Sequence, residues 1–222
     1  MRALLLSLIL SMTSVAALAA EPATASYRVE LQSGKRAAQV QTWYLKREPQ
    51  RITIYKPNMD DIWLRDQAGQ ISFERIFHDD RTVVEYTAGE LRTLGVTPVW
   101  DELASIFDPA RLQKLKAQGR KAGVASYQGK LGEEQVKVEW LDESSLPRLL
   151  VRSAHGKSVR FTLLKQPAPL PESIVASHRA MDDYTRLDAS DFGDMEYNPV
   201  VKKAMHLDVL LGWRTEHEHS HD

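Results

Sequence analysis

Tyr27-Arg28-Val29-Glu30-Leu31 alternates apolar and charged side chains, and this alternation decides the fold class. Successive side chains of a strand point to opposite faces, so a period of two predicts a strand with one packed and one solvated face. The same period returns further along the chain, at Ile52 and Ile54, at Val136, Val138 and Trp140, and at Val159, Phe161 and Leu163. We therefore predict about eight antiparallel strands in one curved, mostly meandering sheet.

The predicted strands lie near Tyr27, Val40, Ile52, Ile62, Ile71 and Val83, within residues 127–140, and within residues 149–164. Glycine reaches positive φ at little cost, so a glycine between two apolar runs predicts a hairpin turn. Four glycines have this position: Gly34, Gly69, Gly132 and Gly156.

A helical hairpin is predicted midway through the sheet. Thr97 can cap a first helix with Pro98 at its first position, and Val99, Leu103 and Ile106 would share one face. Asp108-Pro109 repeats this device, and Gly119 is predicted to end the second helix.

Three prolines within residues 167–171 mark a boundary, and an acid-rich segment follows over residues 177–196. The acid cluster suggests calcium, but the loop spacing of an EF-hand is absent, so we interpret it as a solvated acidic loop with helix caps. Asn198-Pro199 then begins a predicted helix that Gly212 can end. The predicted fold class is α+β: a curved, mostly antiparallel sheet forming an unclosed barrel, with a helical hairpin insert and a C-terminal helix.

Residues 1–19 are typical of a secretory signal peptide, which we expect to be cleaved near Ala19. Arg2 supplies the positive n-region, an apolar run follows, and Ala17 and Ala19 are the small residues that signal peptidase requires. The expected location is the periplasm. The alternative is an uncleaved anchor, but hydroxyl residues dilute the run, and we expect no transmembrane segment in the mature chain.

Composition excludes several function classes. The chain has no cysteine, which removes disulfides, thiolate metal sites and Cys nucleophiles from consideration. Its formal net charge is −1 at pH 7, whereas a nucleic-acid-binding protein needs a basic face. The nucleophile elbow, the phosphate-binding glycine loop and the dinucleotide fingerprint are all missing, so we do not expect an enzyme.

The end of the sequence carries three alternate histidines, His217, His219 and His221, which could together bind zinc, copper or nickel. The stretch also matches H-E-x-x-H, but a zincin needs that motif in a buried helix with a third ligand. No cofactor is required by the sequence. The remaining histidines show no ligand spacing and are predicted to be surface or cap residues: His78, His155, His178 and His206.

Three stretches carry a family resemblance: Thr42-Trp43-Tyr44-Leu45, residues 62–71, and residues 127–147 with the turn that leads to Leu146-Pro147. They resemble the LolA/LolB-like superfamily of lipoprotein carriers, to which the sensor domain of RseB-type regulators also belongs. The resemblance covers residues 27–164. It implies an unclosed barrel around helices, with an apolar cavity for acyl chains or a partner's hydrophobic segment, and it fixes no individual binding residue.

These observations divide the chain into a signal peptide (1–19), a LolA-like sheet domain with a helical insert (20–166), a boundary, acidic segment and C-terminal helix packed on the same domain (167–214), and a His-rich tail (215–222). The first hypothesis is a carrier whose cavity shelters a lipid or lipoprotein client. The alternative for each apolar residue is that it simply fills the core. The candidate cavity residues are Trp43, Ile54, Trp63, Phe73, Leu103, Ile106, Val138, Trp140 and Phe161.

Two further hypotheses remain open. One is a metal-handling accessory protein that uses the three tail histidines. The other is an interaction module that senses the state of the envelope and contacts an envelope protein.

Overall fold

A computed structural model describes residues 21–215, and within them all strands form one sheet. The strands are β1 (Ala23–Ser33), β2 (Gln39–Glu48), β3 (Arg51–Lys56), β4 (Met59–Arg65), β5 (Ile71–Phe77), β6 (Thr82–Tyr86), β7 (Lys116–Lys121), β8 (Val124–Leu131), β9 (Glu134–Leu141), β10 (Leu146–Ala154), β11 (Lys157–Lys165) and β12 (Thr185–Asp188). Their order is β12-β6-β5-β4-β3-β2-β1-β11-β10-β9-β8-β7. The α+β class and the mostly antiparallel sheet are therefore confirmed.

Two meanders meet at the centre of this sheet. Strands β1 to β6 form the first meander and β7 to β11 the second, and β1 joins them by pairing with β11. Only β12 runs parallel to its neighbour, β6, among the described strands. The edge strands β12 and β7 lie at opposite ends of the order, so the sheet is not closed into a barrel.

The described sheet has twelve strands, more than the sequence pattern predicted. Residues 127–140 and 149–164 each cover two strands rather than one, because Gly132 and Gly156 turn the chain within them at positive φ. The edge strands β7 and β12 were not predicted, since neither alternates cleanly between buried and exposed positions. The predicted turn glycines Gly34 and Gly69 also have positive φ.

Short helices connect β6 to β7. They are α1 (Ala88–Thr93), α2 (Trp100–Ser105) and a 3₁₀ helix, Pro109–Lys114. The predicted Thr97 cap is wrong, because α2 begins after Val99 without a side-chain cap. Asp108 does cap the following helix by accepting a hydrogen bond from the Ala110 N–H, but that helix is 3₁₀ and ends well before Gly119.

Helix α1 was not predicted, although Thr87 and Glu90 form a capping box at its start. Beyond the proline-rich boundary lie α3 (Glu172–Arg179), two 3₁₀ helices (Ala180–Asp183 and Ala189–Met195) and α4 (Pro199–Leu210). Helix α4 begins as predicted: Asn198 accepts hydrogen bonds from the N–H groups of Val200 and Val201, and Pro199 occupies the first turn.

The two faces of the sheet are covered by different elements. One face, which we call the core face, carries Trp63, Phe73 and Tyr86 and packs against α1, α2 and α4 in the largest apolar cluster. The opposite face, which we call the back face, carries a small cluster of Ile62, Ile76 and Val83, covered by Leu64, Met181 and Tyr184. The segment that contains α3 and its following 3₁₀ turn therefore lies on the back face.

Candidate functional site

The nine candidate cavity residues all lie in two apolar clusters on the core face. Trp63 and Phe73 are buried in the larger cluster, and Val138 and Trp140 in the smaller one. The other five are partly buried: Trp43, Ile54, Leu103, Ile106 and Phe161. Ile106 and Phe161 pack against both clusters, so they connect the two halves of the core face.

The centre of the core face is aromatic. The ring of Trp43 meets Phe161 edge to face with centroids 5.6 Å apart, and Tyr27 meets the same Phe161 ring at 6.2 Å. Such edge contacts are favourable for ring quadrupoles and add to the stabilisation from buried area. Trp43 and Phe161 nevertheless keep part of their surface exposed, so this part of the face retains apolar surface.

An open cleft of about 670 Å³ lies at one end of the central strands. Leu31 of β1 and Val159 of β11 are register partners and form the apolar floor of the cleft. Leu210, at the end of α4, lines it with a side chain that is 62% exposed. Leu31 and Val159 also pack against the larger core cluster, and Phe161 follows Val159 by two residues on the same face of β11, but none of the nine candidate cavity residues lines the cleft itself.

Basic groups surround this cleft. Arg36 and Lys157 line it from the two hairpins that end there. Arg152 also lines it and is held by Glu134, whose two carboxylate oxygens both lie 2.8 Å from Arg152 Nη2. The cleft therefore combines an apolar floor with a mostly cationic rim.

A buried ionic network fixes α4 to the core face beside this cleft. Arg75 Nη1 donates to Asp208 Oδ1 at 3.0 Å, and Arg75 Nε donates to Asp61 Oδ1 at 3.3 Å. The Tyr86 hydroxyl donates a hydrogen bond to Asp208, and Lys56 forms an ion pair with Asp61. Buried charges are tolerated when they are paired and hydrogen-bonded in this way.

The two carboxyl groups of this network respond differently to their surroundings. Burial acts to raise the pKa of Asp61, but Lys56 and Arg75 outweigh it and hold that pKa below its usual range. At Asp208 burial is the dominant effect and raises the pKa, although Arg75 opposes it. The network is a structural anchor for the helix that supplies Leu210.

A second polar cluster lies on the back face. Asp60 Oδ2 is 2.7 Å from His78 Nε2 and 2.8 Å from His178 Nε2, and the Asp60 side chain is 2% exposed. The Tyr184 hydroxyl lies 3.2 Å from His78 Nδ1. Burial acts to raise the pKa of Asp60, but the hydrogen bonds from His178 and His78 outweigh it and lower the pKa. Within residues 21–215, this is the one group of three or more His and acidic residues whose ligand atoms converge.

Sequence spacing did not predict this cluster. Asp60 and Ile76 are register partners, so His78, two residues after Ile76, follows on the same face; that much could be inferred from strand alternation. His178 lies on α3, a hundred residues further along the chain, and no local signal connects it to Asp60. The other two histidines are exposed: His155 in the β10–β11 turn, 2.7 Å from Glu133, and His206 on α4.

Several predictions fall on residues outside those described. The signal peptide over residues 1–19 and the tail histidines His217, His219 and His221 both lie there. Among residues 21–215, no helix has the length and apolar character needed to cross a membrane.

Comparison with known proteins gives a likeness of fold alone. No protein-family model matches the chain, and no curated protein is significantly similar to it. Among solved structures, PNGF-II is similar over 79% of this chain and 33% of its own, with 12% identity and a TM-score of 0.42. The chain thus spans about a third of the length of that protein.

Two other solved structures bear on the LolA/LolB-like resemblance that the sequence shows. The LolA superfamily protein NE2245 from Nitrosomonas europaea matches 70% of this chain and 90% of its own, with 6% identity and a TM-score of 0.36. MucB matches 70% of this chain and 57% of its own, with 12% identity and a TM-score of 0.33. The structural neighbours of this chain thus include a LolA superfamily protein and MucB, both at low TM-scores.

Proposed function

We propose that this chain is an exported, non-enzymatic binding protein that carries an acyl chain with an anionic head group, as part of a lipid or a lipoprotein. The observation that supports this most directly is the cleft with Leu31 and Val159 in its floor and Leu210 at its side. Its volume of about 670 Å³ lies within the range of small-molecule sites, roughly 300–1,000 Å³. A lipid fits such a site because its acyl chain needs apolar surroundings and its anionic head group needs cationic ones.

The apolar part of the cleft supplies the binding free energy. Burying a methylene group contributes about 0.8 kcal/mol, so a chain of about a dozen carbons gains roughly 10 kcal/mol before the costs of ordering are subtracted. The partly exposed Phe161 and Trp43 extend the apolar surface from the cleft towards the middle of the sheet. A bound chain would lie along this face.

The cationic rim selects the head group. Arg36 and Lys157 would face a carboxylate or phosphate at the mouth of the cleft. A positive rim also accelerates the encounter with an anionic ligand. An uncharged amphiphile of the same chain length should therefore bind more weakly than an anionic one.

A fluorescent fatty-acid probe tests this proposal. We expect saturable binding that an unlabelled fatty acid or lipopeptide displaces. Leu210→Glu places a carboxylate at the side of the cleft and should weaken binding at least tenfold. Because Leu210 is largely exposed, this change should leave folding intact.

Leu164→Glu is the matched control. Leu164 is 55% exposed on β11, but alternation places it on the face opposite Val159 and Phe161. The control should bind the probe like the parent protein. Equal loss in both variants, or no saturable binding by the parent, would contradict the proposal.

The helical insert gives a second test. Leu103 and Ile106 are partly buried against the larger core cluster. If the acyl chain extends from the cleft to the insert, replacing either residue by a charged one should weaken probe binding more than it lowers the Tm. Failure of the carrier proposal would leave an interaction module that contacts an envelope protein as the better alternative.

A further inference from the structure

Asp60, His78 and His178 come from three separate elements of the back face. Asp60 lies in β4, His78 directly follows β5, and His178 is in the last turn of α3. One carboxylate oxygen and two imidazole nitrogens lie within 4.8 Å of one another. These atoms are ligand types that zinc binds, and three protein ligands leave one position of a tetrahedron open.

We propose that these three side chains form a binding site for a divalent cation of the zinc class, which clamps α3 onto the back face of the sheet. The site is separate from the acyl cleft, because adjacent residues of one strand point to opposite faces. Asp60 points to the back face, whereas its neighbour Asp61 pairs with Arg75 on the core face.

The buried charge of Asp60 favours a cation at this site. Its side chain is almost fully buried, and among residues 21–215 its ion-pair partners are the two histidines, without a lysine or arginine. Within the described part of the chain, its second oxygen, Oδ1, accepts one long hydrogen bond, 3.3 Å, from the Lys56 N–H. Taking a carboxylate out of water is costly unless a counter-charge is supplied, and a divalent cation would supply it.

The two imidazoles are oriented as metal ligands would be. Both rings direct Nε2 at the same carboxylate oxygen. The other nitrogen of His78, Nδ1, lies 3.2 Å from the Tyr184 hydroxyl, which is the outer hydrogen bond that fixes the orientation of a metal-ligating histidine. The ring of His178 packs edge-on against Tyr55, with centroids 4.9 Å apart. Both imidazoles are thus held in place by neighbours.

The site is accessible from solvent. An open cleft of about 310 Å³ is lined by both Asp60 and His78. Tetrahedral zinc with bonds of about 2.0–2.1 Å keeps its ligand atoms roughly 3.3 Å apart. The two distances from Asp60 Oδ2 to the Nε2 atoms, 2.7 and 2.8 Å, would therefore widen by about 0.5 Å to admit the ion. A solvent molecule in the cleft can complete the coordination.

The tail histidines must be removed from the test, because they are a second candidate for the same metals. We would therefore use the chain with His217→Ala, His219→Ala and His221→Ala as the parent and titrate it with zinc chloride by calorimetry. We expect one equivalent of zinc per chain. Asp60→Asn, His78→Gln and His178→Gln should each abolish that uptake or weaken it by about 100-fold.

Two further variants make the result specific. Tyr184→Phe removes only the outer hydrogen bond and should weaken zinc binding by about 10-fold, less than the loss of a ligand. His206→Gln is the matched control, because His206 is exposed on α4 and lies outside the cluster. It should bind zinc like the parent.

A second readout guards against misfolded variants. Glutamine keeps an N–H donor that can reach Asp60, so His178→Gln should fold, and its circular dichroism should match that of the parent. Zinc should raise the Tm of the parent with increasing concentration and leave the Tm of His178→Gln unchanged, because only a ligand of the native state stabilises it. No zinc uptake by the parent, or equal uptake and equal Tm shifts in the parent and His178→Gln, would overturn the proposal.

Discussion

Arg75 Nη1 donates to Asp208 Oδ1 across 3.0 Å, and both side chains are almost completely buried, with 1% and 0% of their surface exposed. The bond joins β5 to α4, although the two residues are far apart in the chain. Asp208 also accepts from the Tyr86 hydroxyl and from Arg214 Nε. A buried ionic network of this kind specifies where α4 docks, because its charges are paired only in that position.

Loss of the Asp208 carboxylate should be strongly destabilising. Asp208→Ala leaves Arg75 without one of its two carboxylate partners and removes the acceptor of the Tyr86 hydroxyl. We expect the free energy of unfolding to fall by about 3–5 kcal/mol, measured by urea denaturation. The control is Lys203→Ala, which removes an exposed ion pair with Asp80 and should cost less than about 1 kcal/mol. Similarly small losses of unfolding free energy in both variants would contradict the stabilising role of the buried ionic network.

Arg47 joins three distant parts of the backbone, and lysine should not replace it. Its guanidinium donates to the carbonyl oxygens of Glu21, Ala104 and Ser144 at 2.7, 3.1 and 3.0 Å. An ammonium group cannot reach all three carbonyls from one point. The hydrogen bond to the Ala104 carbonyl is buried and the other two are partly buried. An unpaired buried carbonyl costs about 1–3 kcal/mol, so Arg47→Lys should lower the free energy of unfolding by about that amount.

Lys46→Ala controls for loss of positive charge at the same strand, because Lys46 pairs with Glu48 in a more exposed position. It should leave the urea midpoint almost unchanged. An Arg47→Lys variant as stable as the parent would show that the guanidinium geometry is not needed.

Stability should fall at alkaline pH because of two buried tyrosines. Burial raises the pKa of Tyr27, partly opposed by Arg47, and burial together with Asp208 raises the pKa of Tyr86. A raised folded pKa means that the folded state retains protons that the unfolded state releases. The corresponding stability is complete below about pH 10, the ordinary tyrosine pKa, and is lost as pH rises further towards the folded values.

Urea denaturation at several pH values above about 9 would measure this slope. Tyr27→Phe should make the slope shallower, whereas Tyr197→Phe, at a position 91% exposed, should leave it unchanged. Identical slopes in the two variants would contradict the prediction.

Ile106 has an unusual backbone conformation, which can be tested by comparing the stability of its glycine and alanine variants. It ends α2 at φ 63°, in the left-handed region, which is uncommon for a β-branched residue. Alanine normally exceeds glycine in helix stability, but at positive φ glycine avoids the clash of Cβ. We expect Ile106→Gly to be more stable than Ile106→Ala by about 1 kcal/mol.

The same pair of substitutions at Ser177, inside α3, is the control and should show the usual order, with alanine more stable by roughly 0.5–1 kcal/mol. Thermal denaturation of the four variants provides the comparison. An alanine variant at position 106 that is more stable than the glycine variant would contradict the assignment of strain there.

Local patterns in the sequence predicted much of this fold, because they report local physics. The alternation at Tyr27, Val29 and Leu31 identified a strand whose buried side chains lie on the core face. The Asn198-Pro199 cap located the start of α4. The helical insert was predicted less well: Thr97 does not cap α2, and the second helix is 3₁₀, since tertiary packing overrides weak capping signals in short helices.

The convergence of polar side chains from distant parts of the chain could not be predicted from local sequence patterns. Asp60 and Asp61 are neighbours in sequence, yet one faces two histidines and the other faces Arg75 on the opposite side of the sheet. Alternation predicts that they diverge, but it does not identify partners such as His178 or Asp208, which arrive from distant helices. These partners depend on how the segment after residue 166 packs against the sheet.

The most direct test of the account is native mass spectrometry of the full chain incubated with a long-chain fatty acid. We predict a single additional species whose mass equals the protein plus one fatty acid, present in the parent and in Leu164→Glu and depleted in Leu210→Glu. Spectra that show no adduct in the parent, or the same adduct in all three proteins, would contradict the claim that the cleft beside Leu31, Val159 and Leu210 carries an acyl chain.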